Sequence, residues 1–488
     1  MSRKQRETQA KRIRSRIKKQ KQVERRELLR DLFNFVFPRS AVFPKEQFHG
    51  NIGWEPEQLA IQALIWSWQD TKKVTDAFEK TMESCEELGL KKVAKTYTGF
   101  MNVLSGYRNT IRGGLRNRLQ TLAEQLGGRF FRNKKWVLMG FDGSRATAPR
   151  SKANEKAFCA PNYGSGKKSR YNKNKAKRQG RKQTRTKKAI PQEPQVWITM
   201  MWHMGLRLPW TWRLGPSNSS ERGHVREILE QEEFPVNTLF CGDAGFVGYP
   251  LWNAIIKSGG NFLVRVGGNV NLLSEHVYIR KLKAGKVLCW PKDRMESGDP
   301  PLRLRLEQVK VGKTMMWMLT SVLDEGKLTT NDIVEFYKLR WLIEVEFRGL
   351  KQTIDKHKLR CRNPERLLAE LDWSLLGMAF AELIALRSQI PASEKEENTT
   401  YTPKDRSLAK TLKVLRRHLR NLSQKVSPNK LTLDLEGALV QKYKNSTDKR
   451  SRNRPPNPDK KPLGNPTVSK LTSQQKRKLK EIDLAAAA

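Results

Sequence analysis

Apolar residues recur at helical spacing through the first third of the chain. Leu59, Ala63 and Trp66 fall three and four positions apart, which places them on one face of a helix. We therefore expect a helical N-terminal domain over 31–131. A basic arm precedes it at 1–30, where 13 residues are Lys or Arg, a density that resists burial.

Two short apolar runs each lead directly into an aspartate. Trp136–Phe141 precedes Asp142, and Thr238–Gly242 precedes Asp243. A short continuous apolar run is typical of a strand buried on both faces. We expect each aspartate at the carboxyl end of a buried strand.

The elements around these two strands form an α/β pattern. Val196–His203 and Leu206–Leu214 predict a hairpin, a serine-capped helix follows, and a strand at 261–266 comes after a further helix. Strand, hairpin, helix, strand, helix, strand is the order of a ribonuclease-H-like core, which we assign to 132–266.

The rest of the chain differs in composition from this core. Short Val, Leu and Trp runs broken by Gly and Pro come first. Helical spacing follows, with a long helix that starts at Thr329 or Asn331 and another at Pro364–Gln389. The last part is a basic stretch with five closely spaced prolines. The predicted segments are a β-rich insertion at 267–326, the last part of the core at 327–390, a helical C-terminal segment at 391–443 and a disordered basic tail at 444–488.

Charge limits the possible partners. The chain has 488 residues, with 95 Lys and Arg against 49 Asp and Glu, a net charge of +46. Its 37% hydrophobic residues and 13 Trp can fill a sizeable core, which excludes a purely disordered basic tail. Neutralised phosphates release counterions and supply affinity, so the composition favours a nucleic-acid partner, and we expect the helical domain over 31–131 to bind DNA.

Cysteine spacing and hydropathy exclude other classes. The five cysteines form no CxxC pair, so neither a zinc ribbon nor a disulfide framework is indicated. No run approaches the roughly 18 apolar residues of a membrane span, and no signal peptide opens the chain. We expect a soluble, unexported protein.

A second basic stretch interrupts the predicted core. Twelve of the 22 residues from Lys167 to Lys188 are Lys or Arg, without an acid among them. We expect a loop over 160–190 in which cations such as Lys167 and Lys168 follow DNA phosphates. A solvated loop without a ligand is the alternative.

The long helix near residue 340 gathers a carboxylate, a phenol and three cations. At about 100° per residue, five side chains fall within an arc of about 80°: Tyr337, Arg340, Glu344, Arg348 and Lys351. Glu346 lies about 180° from Tyr337 and cannot share that face. A solvated ion-pair face is the alternative. With two strand-end aspartates, however, the cluster favours a phosphodiester site in which carboxylates bind Mg²⁺.

These motifs resemble the catalytic signature of DDE transposases of bacterial cut-and-paste insertion sequences, in the group with a Tyr/Arg/Glu/Lys signature. The resemblance is carried by Asp142-Gly143-Ser144, by Cys241–Phe246 and by the spacing Y-x2-R-x3-E-x6-K. It covers about Trp136–Gln389 and neither basic end. It implies a ribonuclease-H-like core with a β-rich insertion between the second aspartate and the glutamate.

The resemblance also implies roles for single residues. Asp142, Asp243 and Glu344 would bind two Mg²⁺ ions, which Mn²⁺ can replace. Tyr337, Arg340 and Lys351 would hold phosphates of the transposon end, with Arg348 on the same face. Arg150 would approach the DNA end, with a plain turn as the alternative. Trp317, or else Trp290, would stack on a base flipped from the strand, with a core position as the alternative.

The implied function is cut-and-paste transposition. Such an enzyme binds terminal inverted repeats of double-stranded DNA, pairs two ends as a homodimer, frees a 3′-OH, forms and reopens a hairpin, and joins target DNA. The implied location is the nucleoid of a bacterial cytoplasm. The alternatives are a non-catalytic DNA-binding regulator, a nuclease of the same fold that does not join, and an RNA-binding structural protein.

Overall fold

The structure is a computed structural model, and parts of the basic segments lie outside the residues it describes. The predicted arm up to residue 21 and the predicted loop, with Lys167 and Lys168, are among the undescribed parts. The described residues are 22–38, 42–43, 47–159, 193–274, 284–312, 314–395, 402–440 and 463–487.

A run of helices precedes a mixture of strands and helices in the described chain. The strands are β1 (Val23–Glu24), β2 (Val137–Thr147), β3 (Gln195–His203), β4 (Leu208–Gly215), β5 (Thr238–Gly242), β6 (Asn261–Val266), β7 (Asn271–Ser274), β8 (Ala284–Cys289), β9 (Leu302–Val311), β10 (Thr314–Thr320), β11 (Lys425–Val426) and β12 (Thr467–Lys470). The helices are α1 (Arg25–Val36), α2 (Pro56–Trp68), α3 (Val74–Glu87), α4 (Tyr97–Gly106), α5 (Arg108–Gly127), α6 (Lys152–Phe158), α7 (Glu221–Gln231), α8 (Tyr249–Lys257), α9 (Lys292–Glu296), α10 (Thr330–Leu339), α11 (Leu342–Arg348), α12 (Pro364–Lys395), α13 (Leu408–His418), α14 (Lys430–Glu436) and α15 (Ser473–Ala487).

The chain divides into two compact units, each built from two separated stretches. The helical unit comprises Met1–Gly128 and Gly349–Val440, and the sheet unit comprises Arg129–Arg348 and Gln441–Ala488. No helix among the described residues is both long and apolar enough to cross a bilayer.

Helix α12 is the centre of the helical unit. It packs against α2, α4 and α5 and against the later helices α13 and α14. Its middle is buried around its whole circumference, so it needs helices on every side. From Gly349 onward, the predicted last part of the core, 327–390, lies in the helical unit, whose centre is α12.

The sheet unit is a mixed α/β structure around one ten-stranded sheet. Its strand order is β12-β7-β8-β9-β10-β6-β5-β2-β3-β4. Strands β2, β3 and β4 are antiparallel neighbours, whereas β5 runs parallel to β2 and β6 parallel to β5. The predicted order of strand, hairpin, helix, strand, helix and strand is found as β2, β3–β4, α7, β5, α8 and β6.

The β-rich stretch at 267–326 extends this same sheet. Strand β10 pairs antiparallel with β6, and β9, β8 and β7 follow outward as antiparallel neighbours. The insertion therefore continues the hydrogen-bond ladder of the core and does not form a sheet of its own.

Residues 463–487, within the predicted disordered tail at 444–488, form secondary structure, whereas 444–462 lie outside the described residues. Strand β12 pairs in parallel with β7 at the sheet edge, and α15 follows it. Leu471 and Leu479 join a buried cluster with Leu288 and Trp290. These two leucines are enough to anchor a segment whose other residues are mostly polar, and the composition concealed them.

Candidate active site

Asp142 lies in β2, just beyond the part of the strand that pairs with β5. The parallel pairing ends at Gly140 and Cys241, and Asp142 pairs with Met200 of β3 alone. The strand is buried up to Phe141 and half-exposed from Asp142 onward. It continues to Thr147, so it does not end at the aspartate as the apolar run predicts.

Asp243 directly follows β5, where the sequence predicts it. Its Oδ1 accepts a hydrogen bond from the Gly245 amide at 2.8 Å, which holds the carboxylate in the turn after the strand. A Cβ on Gly242 would lie 2.6 Å from the Phe141 ring, so glycine allows the two strands to approach closely here. Because β2 and β5 are parallel neighbours, both aspartates lie at the same end of these two strands, where the paired region stops.

The three predicted acids influence one another electrostatically. Burial is the largest cause that raises the pKa of Asp142 above its ordinary value, and the negative charges of Asp243 and Glu344 raise it further. A 2.9 Å hydrogen bond from the Gly143 amide and the positive charge of Arg340 lower that pKa in part. The side chains come from segments 200 residues apart in sequence and converge on one region.

Glu344 and Glu346 point in opposite directions from α11. Glu344 is exposed, whereas Glu346 is 1% exposed. Glu346 Oε1 accepts hydrogen bonds from Arg207 Nε at 3.0 Å and Arg207 Nη2 at 2.5 Å, and Arg207 is itself 4% exposed. The helix-face argument that favours Glu344 over Glu346 agrees with this arrangement.

The helix that carries the signature is interrupted, contrary to the single long helix expected. Thr329 caps α10 in a capping box with Asp332, and α10 ends at Leu339. Glu344 N donates to Trp341 O at 3.3 Å, a bond between residues three apart where an α-helix uses four. Helix α11 then leads into a π-helical turn, Gly349–Thr353.

Lys351 follows this interruption in the chain. Lys351 lies in the π-helical turn, which belongs to the helical unit, and burial lowers its pKa. The predicted arc of five side chains assumes a continuous helix, and the place of Lys351 in it stays a prediction. Tyr337, Arg340, Glu344 and Arg348 remain together in the sheet unit.

Tyr337 and Arg340 are buried beside the acids. Tyr337 is 2% exposed and Arg340 6% exposed. The Arg340 guanidinium carbon lies 5.5 Å from the centre of the Tyr337 ring and 5.8 Å from that of Trp341. The Nε atom of Arg340 has no hydrogen-bond acceptor within the described structure. A buried guanidinium with a free N–H donor can bind an anion such as a phosphate.

Of three tryptophans that bear on the predicted DNA contacts, two are buried and one is exposed. Trp317 is 8% exposed, and its Nε1 donates to Asn465 Oδ1 at 3.1 Å, so no base can stack on it in this arrangement. Trp290 is a core residue whose Nε1 donates to the Asp299 carbonyl at 2.8 Å. Trp341, next to Arg340, is 57% exposed. The sequence analysis did not single out Trp341, although at about 100° per residue it falls about 40° from Tyr337, beside the predicted face.

The remaining predicted DNA contacts lie at the edges of the site or outside the description. Arg150 is at the approach to α6 and forms an ion pair with Glu155 at 2.9 Å. Arg348 is exposed at the end of α11. Lys167 and Lys168 lie outside the described residues.

Glu221 is a further acid at this site that the sequence did not single out. It is the first residue of α7, after the Ser220 cap, and a Cβ on Gly143 would lie 2.0 Å from its Oε1. Burial, then the charges of Asp142 and Asp243, raises the pKa of Glu221 to about 7. The only sequence signal was a glycine directly after Asp142, which leaves room for this carboxylate.

The donor set suits a hard divalent cation. Among the described residues, no three His, Cys, Asp or Glu side chains are already arranged to hold a metal ion. The acids nevertheless repel one another, and Glu221 fills the space that a side chain at position 143 would take. Carboxylate oxygens are preferred ligands of Mg²⁺, and a cation relieves such repulsion. The residues therefore fit a divalent ion.

Comparison with known proteins provides a family for this geometry. Residues 141–378 match the family model described as the transposase DDE domain, and the match contains Asp142, Asp243 and Glu344. DDE transposase domains generally use divalent metal ions. This stretch of the chain is therefore similar to a DDE transposase domain.

The similarity extends to a transposase of an IS4 element. The chain is 26% identical over 249 residues to the transposase InsG for insertion sequence element IS4 of Escherichia coli (strain K12). The match covers 49% of this chain and 53% of InsG, so the chain spans about half the length of that curated relative. It is also similar to a piggyBac transposase in a synaptic complex with hairpin DNA, at 12% identity and a TM-score of 0.37, over 86% of this chain and 87% of that one. A likeness this low supports no functional inference.

Proposed function

We propose that the chain is the transposase of an insertion sequence, which binds the terminal inverted repeats, cuts DNA in the presence of Mg²⁺ and joins the freed end to target DNA. The observation that carries the proposal is the convergence of Asp142, Asp243 and Glu344. Their charges interact across three separated segments, within the stretch that matches the DDE domain.

In this mechanism the acids hold the cations, and the neighbouring side chains hold the DNA. Two bound Mg²⁺ ions, replaceable by Mn²⁺, would activate the attacking oxygen and stabilise the leaving oxygen of the phosphodiester. Asp142, Asp243 and Glu344 supply the oxygen ligands. Arg340, with its free Nε donor, binds a phosphate beside the cleaved bond and stabilises the charge that develops there. Tyr337 fixes Arg340 and is not a nucleophile.

Further cations of the chain contact the rest of the DNA end. Arg150, Arg348 and Lys351 bind phosphates, as do Lys167 and Lys168. Trp341 replaces Trp317 as the aromatic that stacks on an unpaired base, because Trp341 is exposed beside Arg340 and Trp317 is not. This stacking supports a hairpin step, in which the freed 3′-OH attacks the opposite strand before the hairpin is reopened.

The topology and the charge support the rest of the proposal. The strand order β4-β3-β2-β5-β6, antiparallel on one side of β2 and parallel on the other, favours a ribonuclease-H-like core. The net charge of +46 suits double-stranded DNA. Pairing of two ends requires a homodimer on DNA. Such a protein acts at the nucleoid in the cytoplasm of a bacterium.

The test is a cleavage assay on labelled DNA that carries the boundary of the encoding element. The protein is incubated with and without Mg²⁺, beside Glu344→Ala, and the products are resolved on a denaturing gel. Glu335→Ala removes an exposed acid from the preceding helix and is the matched control. We expect metal-dependent nicks at the boundary, then hairpins and strand-transfer products, from the wild type and Glu335→Ala but not from Glu344→Ala.

Other results would identify the rival functions. Binding without any cleavage in Mg²⁺ or Mn²⁺ defines a DNA-binding regulator. Metal-dependent cleavage without strand transfer defines a nuclease. A covalent Tyr337–DNA adduct would contradict the metal-dependent mechanism itself.

A further inference from the structure

The short helix α11 carries Glu344 but does not inherit its orientation from a longer helix. It spans only Leu342–Arg348, and isolated helices of this length are unstable in water. The hydrogen bonds before it join residues three apart, as from Ile343 N to Arg340 O at 3.1 Å. The rotation of α11 about its own axis, which aims Glu344, must therefore be set by what its buried side contacts.

That buried side consists of Ile343, Glu346 and Phe347. The apolar contacts of Ile343 and Phe347 are non-directional and tolerate rotation. The two hydrogen bonds from Arg207 to Glu346 Oε1, at 3.0 and 2.5 Å, are directional. Because Glu344 and Glu346 are two residues apart, about 200° of helix rotation separates them. An anchored Glu346 thus aims Glu344 away from the buried side.

The other end of the ion pair is fastened to the strand that carries Asp142. Arg207 lies in the turn between β3 and β4 with a φ of 54°, an unusual value for a residue with a side chain. In the same turn, Met204 N donates to Leu138 O of β2 at 2.9 Å, and Met204 Sδ lies where a Cβ on Gly140 would meet it at 2.9 Å. The turn is therefore fixed to β2 within a few residues of Asp142.

We propose that the Arg207–Glu346 ion pair is a positioning device, which sets the orientation of α11 relative to β2 and so the approach of Glu344 to Asp142. A buried ion pair adds little net stability compared with apolar side chains of the same volume, whereas its directional bonds fix one geometry. The inference rests on the proposed function, because Glu344 matters only if the acids act together. Neither Arg207 nor Glu346 touches the reacting atoms.

The experiment compares two conservative variants with a matched control. Glu346→Gln keeps the shape and removes the charge, and Arg207→Lys keeps the charge and removes the two-nitrogen fork. Glu232→Gln breaks a partly buried ion pair of the sheet unit that lies away from α11, between Arg213 of β4 and Glu232 directly after α7, at 2.9 Å. All are measured as full-length protein for melting temperature, affinity for the element-boundary DNA, single-turnover cleavage against Mg²⁺ concentration, and Tb³⁺ affinity by tryptophan-sensitised luminescence.

A positioning role predicts a specific split between these measurements. A small misplacement of a catalytic group lowers rates by about 100-fold, so we expect cleavage to fall by that order in Glu346→Gln while DNA affinity stays unchanged. The Mg²⁺ concentration for half-maximal cleavage should rise, and Tb³⁺ affinity should fall. Arg207→Lys should show a smaller change of the same kind, and Glu232→Gln should cleave and bind Tb³⁺ like the wild type.

Other outcomes overturn the proposal or separate it from the proposed function. Wild-type cleavage, metal dependence and Tb³⁺ affinity in a folded Glu346→Gln or Arg207→Lys would refute positioning. Equal loss of melting temperature, DNA binding and cleavage would assign the pair a merely structural role. If the wild type cuts no DNA yet Tb³⁺ affinity falls in Glu346→Gln and not in Glu232→Gln, the proposed function fails and the positioning role stands.

Discussion

Replacement of Glu221 should stabilise the protein, and only at neutral to alkaline pH. The folded structure raises the pKa of Glu221 from 4.5 to about 7, by burial and by the charges of Asp142 and Asp243. An acid whose pKa is raised on folding is bound more tightly to its proton in the folded state. The stabilisation of the folded state by the tightly bound proton is complete below pH 4.5 and is lost as the pH rises through about 7.

The size of the effect follows from this shift. A shift from 4.5 to about 7 corresponds to about 3.4 kcal/mol at 1.36 kcal/mol per pKa unit. Glu221 is half-buried, so solvent screening reduces the expected value to about 1–2 kcal/mol. Glu221→Gln has the shape of the protonated acid and carries no charge. It should therefore raise the free energy of unfolding by about 1–2 kcal/mol near pH 8 and by much less near pH 5.

The assay is urea unfolding of the wild type and the variant in EDTA at both pH values. EDTA is needed because a bound cation would remove the repulsion that the variant relieves. Glu227→Gln, an exposed acid on the same helix, is the control and should change little at either pH. An equal effect of Glu221→Gln at both pH values, or a loss of stability at pH 8, would refute the electrostatic explanation.

Three further substitutions test the environments of single side chains. Trp341→Ala should leave the melting temperature unchanged, because Trp341 is 57% exposed, and should weaken binding of DNA ends with unpaired bases by about 1–3 kcal/mol in fluorescence anisotropy; unchanged affinity would remove Trp341 from the DNA contacts. Trp317→Ala should lower the free energy of unfolding by about 3–5 kcal/mol, because the indole is buried and bonded to Asn465; a stable variant that fails only in hairpin formation would return the stacking role to Trp317. Leu479→Ala should destabilise its cluster by about 2–5 kcal/mol and expose α15 to proteolysis, with the 72% exposed Leu484→Ala as control; equal protease resistance would show that the cluster does not hold α15.

The parts of the structure that the sequence predicts are those with a local signal. The apolar runs before Asp142 and Asp243 predict their strands because burial on both faces leaves a continuous hydrophobic stretch. The spacing around residue 340 likewise separates Glu344 from Glu346. In each case the pattern lies within about ten residues of the feature that it predicts.

The parts that it does not predict depend on contacts distant in sequence. Glu221 meets Gly143 only because α7 lies over β2, and nothing near Glu221 records that approach. The break before Trp341 interrupts a stretch with ordinary helical periodicity. The order of the C-terminal segment depends on Leu471 and Leu479, whose partners lie almost 200 residues earlier.

The edge strand β12 has a consequence for how the protein is made. Its partner β7 ends at Ser274, and β12 begins at Thr467. At bacterial and eukaryotic synthesis rates of about 5–20 residues per second, roughly 10–40 s pass between the two strands leaving the ribosome. Throughout that interval β7 is an open sheet edge on the nascent chain, available to other strands. A messenger truncated before the last codons would therefore yield an aggregation-prone product rather than a shortened, folded protein.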